Sequence, residues 1–573
     1  MALERCLDAP PTSRLVLVGD DTVGEGDYVI AAPEAGRARV VQRLANGGSM
    51  LARIYAIAVG HRLDPLFPVG VSDEVESLLK EPGIQEPSLT DPTSVPFCTI
   101  DGPGTRDLDQ ALHVVATEAG FRLSYALADA SWFVRPGSAL FAAAVHRASS
   151  FYLPGLVIPM LPRELSESLC SLSPGVQRWT LVMVLDLDRE GRVMDRHWVR
   201  ARIRSRAKLA FGEVPGLLAA QSTTHLEPGL IQSLRAFRDL GQVLVARRAR
   251  AGVVRYRRDE VDLTITPCGR GLIPLRSSDA PVERWNEEIS VLCNIEGARW
   301  LTEGEIERDG IEPIYRIHPA PPKSAMRRLE RRIGAIVALH GLDPDVWSWR
   351  LEGSGTLAAY LDSLPREGEA GRLAAVIHRQ AVVTNMRSTF SDDPAPHYGV
   401  GAPVCGRFTA PMREMVGIFL HKETIEKLEG LSPSGSADDR AIRARVIEGG
   451  NRAKALQSRL VKEVNRLAMD TLFEPDLTLP APERPRRPGT VVGIQGNRLY
   501  ALLDAPHLEV KIYLDDVAEA AGEPVETDPD GTAIRARSDG RVLVRLGERG
   551  RLHVRRFDQG RDRWVFGLEP EDS

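Results

Sequence analysis

The residues with the most chemical potential are three aspartates in one short stretch, Thr99-Ile100-Asp101-Gly102-Pro103-Gly104-Thr105-Arg106-Asp107-Leu108-Asp109-Gln110. The run Phe97-Cys98-Thr99-Ile100 reads as a strand that delivers Asp101 at its C-terminal end, and Gly102-Pro103-Gly104 reads as a reversing turn. Asp107 and Asp109 are two residues apart, so in extended backbone they point the same way. Three carboxylates brought to one spot repel each other and take up protons unless a cation joins them. Oxygen-only ligands around a loop favour Mg²⁺, with Mn²⁺ as the alternative, over zinc. The spacing alone also suits a polar loop of solvated or turn-capping aspartates.

Around this stretch, residues 97 to about 420 read as a long mixed α/β segment. Phe97–Asp101, Arg122–Asp129 and Trp179–Asp188 carry strand patterns, while 230–251, 284–303 and 322–340 carry helical periodicity. A long helix is expected over 440–473, followed by a Pro-rich linker over 474–489. Before the central segment, 14–21, 27–33, 38–44 and 50–59 read as short strands of a small β-rich module. A short helix is expected over 72–80, with Ser72 as N-cap and Asp73 and Glu74 in its first turn. After the linker, about five short strands in some 85 residues suit an OB-type barrel. Its last part is basic, with eight Arg between Gly531 and Arg556 against Asp539 and Glu548, and Tyr500, Tyr513, Phe557, Trp564 and Phe566 interleaved. Basic residues track a phosphate backbone and aromatics stack bases, although a solvated face over core aromatics reads the same way. Arg196 to Lys208, and Arg247, Arg248, Arg250, Arg255, Arg257 and Arg258, are further basic runs, each open to the same two readings.

Composition bounds the rest. The 573 residues carry 73 Lys and Arg against 78 Asp and Glu, a net charge of −5, so any polyanion must be held by local basic surfaces. Six cysteines without CxxC or zinc spacing fit reduced thiols of a cytoplasmic protein. Neither a signal peptide nor a membrane span is expected.

The ordered motifs resemble the RNB catalytic domain of the ribonuclease II and ribonuclease R family. The aspartate loop with Ala111 matches that family's Asp-x-Asp-Asp-Ala ending, and Ala128-Asp129 matches its next strand. Tyr152-Leu153-Pro154-Gly155 follows, then Ile158-Pro159-Met160-Leu161-Pro162-Arg163-Glu164-Leu165-Ser166 and Leu169-Cys170-Ser171-Leu172. Arg316-Ile317-His318, His397-Tyr398-Gly399, Thr409-Ala410-Pro411-Met412-Arg413 and His421 resemble its later blocks.

The resemblance covers about 60–475 and implies an α+β fold, a mixed α/β RNB domain flanked by small OB-type β-barrels. The expected division is a β-rich module over 1–65, helix and connector over 66–96, the RNB domain over 97–475, and an S1-like OB domain over 485–570. It implies a monomeric, Mg²⁺-dependent, processive 3′→5′ exoribonuclease that hydrolyses single-stranded RNA to nucleoside 5′-monophosphates. By motif position, Asp101, Asp107, Asp109 and Gln110 are the metal site, and Asp107, Asp109 and Arg413 are catalytic. Tyr152, Arg316, His397 and Arg413 are the implied RNA contacts, Tyr152 by stacking on a base.

The chain departs from the family pattern at several places. Gln110 stands where the family has its fourth acid, and a neutral amide cannot serve as a carboxylate ligand or base. Glu414, Met415 and Gly417 stand where it has a basic residue, a Tyr and an Asp. Glu463 lies in the helix that carries a later family Glu. Three readings follow: an active exoribonuclease with a modified metal site, a catalytically impaired RNA-binding relative, and a metal-dependent phosphodiesterase acting on another substrate.

Overall fold

The structure is a computed structural model that describes residues 16–18, 23–34, 37–83, 89–219, 226–254, 261–276, 280–303, 310–353, 355–430 and 436–571. At the N-terminus β1 (Val16–Val18), β2 (Tyr28–Glu34) and β3 (Arg37–Ala45) form a three-stranded sheet in the order β1-β3-β2. The expected fourth strand over 50–59 is instead the helix Met50–Gly60, capped by the Ser49 hydroxyl, which accepts from the Ala52 amide. A continuous apolar run has no period that separates strand from helix. Met50, Ile54 and Ala58 are buried here beside Leu460 and Val464 of a later helix, and that packing decides the outcome.

The next helix runs from Val69 to Lys80 with Pro68 at its N-cap, so Ser72 is not the cap and Asp73 and Glu74 lie beyond the first turn. Glu74 serves a different helix. Its carboxylate accepts the Ala139 and Leu140 amides at 2.7 and 2.8 Å, at the N-terminus of Ala139–Arg147. That placement satisfies orphan helix donors with a negative charge.

The central domain is built on a six-stranded sheet of β4 (Cys98–Asp101), β5 (Gln110–Ala116), β6 (Gly120–Ala128), β9 (Gln177–Asp188), β10 (Val193–Arg204) and β11 (Ala207–Ala210), in the order β10-β9-β6-β5-β4-β11. A hairpin, β7 (Phe151–Leu153) and β8 (Leu156–Ile158), stands apart from it. Tyr125, Leu127, Trp179, Leu181 and Leu185 are buried on this sheet, under the helices Pro228–Arg250 and Pro281–Thr302. β4 lies between parallel β11 and antiparallel β5, and its last residue, Asp101, pairs with Ala210.

Two small pairs follow, β12 (Val261–Ile265) with β13 (Leu272–Arg276), and β14 (Tyr315–Ile317) with β15 (Thr389–Ser391). The long helix spans Ser436–Leu477, further at both ends than the 440–473 expected from sequence. The proline-rich stretch after it is packed. Arg487 pairs with Asp476, and Arg484 donates to the Val554 carbonyl at 3.2 Å.

The C-terminal part holds two sheets: β16 (Arg487–Gln495), β17 (Arg498–Leu503), β18 (Glu509–Tyr513), β22 (Arg549–Asp558) and β23 (Arg563–Pro570) in one, and β19 (Val525–Thr527), β20 (Ala533–Ala536) and β21 (Val542–Arg545) in the other. Their core is shared with Ile333, Ile336, Leu373 and Ile377 of the helices Lys323–Leu339 and Gly368–Thr384. Among the described residues no helix is long and apolar enough to cross a membrane, and Cys98, Cys170, Cys268, Cys293 and Cys405 are free thiols.

Candidate functional site: a carboxylate and arginine centre

Four elements meet at the end of β4. The loop from Gly102 to Asp109 is pinned from outside. Lys208 on β11 donates to the carbonyls of Pro103 and Thr105 at 3.1 and 2.5 Å. Ser171 clamps the other end, accepting the Leu108 amide at 3.2 Å and donating to the Arg106 carbonyl at 2.6 Å. The Leu169–Leu172 motif therefore acts as the fastener of the aspartate loop.

The second element is the turn that carries Arg413. Helix Pro281–Thr302 presents Asn294, whose side chain accepts the Phe408 amide at 2.6 Å and donates to the Thr409 hydroxyl at 3.0 Å. The following helix, Met415–Glu429, comes in tightly because residue 417 is glycine. A Cβ there would sit 2.9 Å from the Pro411 Cα. The Arg413 carbonyl accepts from the Ser150 amide at 2.9 Å and the Ser149 hydroxyl at 3.1 Å, which ties this turn to the β7–β8 hairpin.

Within that frame Asp109 is buried and fully engaged. It accepts the Met412 amide at 3.0 Å and the Arg413 Nε–H at 2.8 Å. Burial pushes its carboxyl up while Arg413 opposes the shift, and Asp109 in turn holds the guanidinium above its usual range. Among the described residues Asp101 carries no side-chain hydrogen bond or ion pair, and the Asp107 carboxylate has a hydrogen bond only with its own backbone. Burial, then the neighbouring Asp109, holds the Asp101 carboxyl up at about 7. Asp107 is raised for the same first reason, burial, against the pull of Arg413. The centre thus holds two half-buried carboxylates without side-chain partners beside one carboxylate committed to an arginine.

Three oxygens from Asp101, Asp107 and Asp109 do not approach within 4.8 Å of one another. The one such group among the described residues is Glu423, Glu426 and Asp439. Lys422 already fills that group, with Nζ at 2.8, 2.9 and 3.2 Å from the three carboxylates.

Gln110 has both ends of its amide engaged. Its Nε2–H donates to the Thr409 carbonyl at 3.0 Å, and its Oε1 accepts from the Tyr125 hydroxyl. The amide thereby braces the Arg413 turn from beneath. Tyr152 projects from β7, 47% exposed, with its ring close enough to Arg413 to interact electrostatically. Burial of its hydroxyl end pushes that group up to about 12. Gln457 of the long helix holds the Tyr152 backbone from both sides, at 3.4 and 3.2 Å.

Arg316 and His397 lie at a second place, next to His318. The two imidazoles cross edge to face at 5.1 Å, and His397 has both ring nitrogens buried without a hydrogen-bond partner. Burial, with Arg316 nearby, holds His397 down at about 3, so it is neutral. His421 is buried and bonds the Phe408 carbonyl at 2.9 Å, a bracing contact for the same turn. Glu463 pairs with His61 at 2.5 Å.

The basic runs are largely occupied. On β10, Arg196 pairs with Glu296 and Glu303, Arg200 with Glu429, and Arg202 with Asp91. Arg200, Arg202 and Arg204 alternate with buried residues along the last part of β10, and the ion pairs tie the sheet to its neighbours. Arg247 and Arg248 bond the Gly191 and Gly399 carbonyls, and Arg255, Arg257 and Arg258 lie outside the described residues. In the terminal sheets Arg541, Arg549 and Arg556 pair with Glu523, Asp504 and Glu519. Trp564 and Phe566 are core, and Trp564 bonds Asp470 at 2.7 Å. Sequence reasoning placed Lys208 only in a basic run, not on the aspartate loop, and missed Asn294, Arg407, Lys454 and Gln457. Their roles depend on side-chain contacts across distant elements, which local pattern does not reveal.

The model of the RNB domain matches residues 89–425. The chain belongs to the RNB-domain family, that of ribonuclease II and ribonuclease R. Within it, the chain is 26% identical over 336 residues to ribonuclease R of Mycoplasma genitalium, covering 58% of this chain and 44% of that one. It is 30% identical over 391 residues to exoribonuclease 2 of Cronobacter sakazakii, covering 67% and 56%. The chain spans about half the length of the curated relatives it matches. The fold is similar to Mycoplasma genitalium RNase R in complex with ribose-methylated single-stranded RNA, with a TM-score of 0.79 at 20% identity, over 97% of this chain and 85% of that one. It is also similar to yeast Ssd1, a pseudonuclease, with a TM-score of 0.58 at 15% identity, over 89% and 61%.

Proposed function

We propose that the protein is a metal-dependent 3′→5′ exoribonuclease acting on single-stranded RNA. The observation that carries this is the pair of half-buried carboxylates without side-chain partners, Asp101 and Asp107, set beside an arginine that Asp109 orients. Asp101 and Asp107 suit a hard divalent cation, because Mg²⁺ is commonly held by one or two carboxylates together with substrate phosphate and water. When bound, such an ion lowers the pKa of an attacking water and stabilises a leaving oxygen.

The chain's own residues supply the rest. Arg413, fixed by Asp109, presents its guanidinium to the scissile phosphate and offsets charge that builds there. Tyr152, held by Gln457, offers an exposed ring to a base near the 3′ end, where stacking contributes about 1–3 kcal/mol. Asp109 is a positioning residue on this reading, and Gln110 positions the same turn from below. The C-terminal sheets, read as an S1-like domain, would contact RNA upstream.

One specific observation favours the second reading, a catalytically impaired RNA-binding protein. Gln110 is spent on Tyr125 and Thr409, and Asp109 on Arg413, so two acids rather than four remain for a metal. Purified protein with a 3′-extended oligoribonucleotide and Mg²⁺ or Mn²⁺ separates the two. The nuclease shortens it from the 3′ end to mononucleotides, whereas retained binding without product with either ion favours the impaired relative.

A further inference from the structure

A second cationic cluster lies along the long helix and joins the Arg413 turn through Glu414, on which both Arg407 and Arg413 act. Lys454 is three residues before Gln457, so the two share one face of that helix. Its ammonium donates to the Ser388 carbonyl at 2.6 Å and the Ser388 hydroxyl at 2.8 Å. Arg316 reaches the same hydroxyl at 3.5 Å, and its Nε–H is buried without a hydrogen-bond partner. Arg407 completes the group, paired with Glu414 at 2.7 Å.

The charge does not balance. Arg316 and Lys454 each feel Arg407, the carboxylate that acts on both is Glu414, and Glu414 is shared with Arg407 and Arg413. Burial, then Arg316, holds Lys454 down at about 8, and burial with Arg407 lowers Arg316. Burial opposes ionisation of Glu414, but Arg407 and Arg316 hold its carboxyl below the usual range. Excess positive charge out of water is costly unless an anion meets it. Ser388 adds a neutral hydroxyl, and a half-buried set of two forks, one ammonium and one hydroxyl matches the oxygens of a phosphate.

We propose that Arg316, Arg407, Lys454 and the Ser388 hydroxyl bind an internal phosphodiester of the RNA, upstream of the nucleotide stacked on Tyr152. This rests on the RNA reading above. The geometry favours it because Gln457 joins the two places: it holds the Tyr152 backbone, and Lys454 lies one turn away on the same helix face. A strand leaving Tyr152 along that face meets the cationic cluster next. Glu414 then acts as the internal counter-ion that keeps Arg407 in place when no strand is present.

The test is equilibrium binding of a short fluorescent oligoadenylate to the full chain in EDTA, where hydrolysis is absent. Each linkage in turn is replaced by an uncharged methylphosphonate. In the wild type one internal linkage is expected to cost about tenfold in affinity, the size of a lost charge-assisted contact. In Lys454→Gln, where Arg316 and Arg407 remain on that phosphate, the same replacement should cost clearly less than in the wild type, and the salt dependence should flatten by up to about 0.7, the contribution of one phosphate on a single strand. A scan in which all linkages are equivalent overturns the subsite, and because it uses the unaltered protein it does not depend on the variant folding. An unchanged salt slope in a folded Lys454→Gln also overturns it. Competition by inorganic phosphate with no linkage effect would assign the cluster to free phosphate and likewise overturn it. The two readings fail separately: hydrolysis without a linkage effect removes only the subsite, and a linkage effect without hydrolysis removes only the nuclease.

Discussion

Restoring an acid at position 110 is the most informative single change. Gln110 uses both ends of its amide: it donates to the Thr409 carbonyl at 3.0 Å and accepts from the Tyr125 hydroxyl. Gln110→Glu keeps the acceptor but puts a carboxylate oxygen against the Thr409 carbonyl, two acceptors facing each other in a half-buried site. Losing the donated bond and leaving the carbonyl unpaired costs about 1–3 kcal/mol. The turn that would move holds Arg413, so a negative charge added beneath it is expected to lower activity as well as stability. Urea unfolding gives the stability, and release of mononucleotide from labelled RNA gives the rate. Gln110→Glu should unfold at lower urea and turn over more slowly than the wild type, with the loss larger in kcat than in KM. A variant as stable as the wild type and faster would refute the reasoning. It would mean that position 110 faces the metal centre and that the chain is an impaired member of its family.

Three further outcomes follow from the same geometry. Asp101 holds its proton up to about 7 in the folded chain against 3.8 unfolded, so the native state binds protons more tightly and stability falls as pH rises through that window. Asp101→Asn should therefore gain stability above pH 7, by at most about 4 kcal/mol, and gain nothing near pH 4, as read by thermal melting. Asp109→Asn leaves the Arg413 guanidinium without its carboxylate and is expected to cost about 1.5–3 kcal/mol in urea unfolding and to abolish RNA hydrolysis; full activity would contradict its positioning role. Lys422→Met leaves Glu423, Glu426 and Asp439 facing one another, and a loss of about 3–5 kcal/mol in unfolding free energy is expected, with RNA affinity unchanged if the protein is kept below its melting point.

Much of the site was legible in the letters because its parts are local. The strand ending at Asp101 and the aspartate loop form one continuous segment with clear strand and turn signals, whereas the hairpin at Tyr152 was marked only by its resemblance motif. The helix over Met50–Gly60 was not, since an unbroken apolar run fits either period until its partner helix is known. The cap of Val69–Lys80 misled for another reason. Ser72 has the right chemistry for a cap, but Pro68 starts the helix a turn earlier and Glu74 is drawn to a neighbouring helix instead. The basic runs show the limit of counting charge. Arginines do alternate along the last part of β10, yet Arg196, Arg200 and Arg202 find acids on distant helices and loops, which no window along the chain contains. Conversely, Arg316, Arg407 and Lys454 come from three separate places and form a cluster that no run foretells.

The central claim is that Asp101 and Asp107 hold a divalent cation at the place where an RNA 3′ end meets Arg413. Its most direct test is to follow a 3′-extended oligoribonucleotide with wild type, Asp101→Asn and Asp107→Asn, each with and without Mg²⁺. The account predicts mononucleotide release by the wild type only with the ion, and none by either folded variant. Equal hydrolysis in chelator, or by either variant, would contradict it.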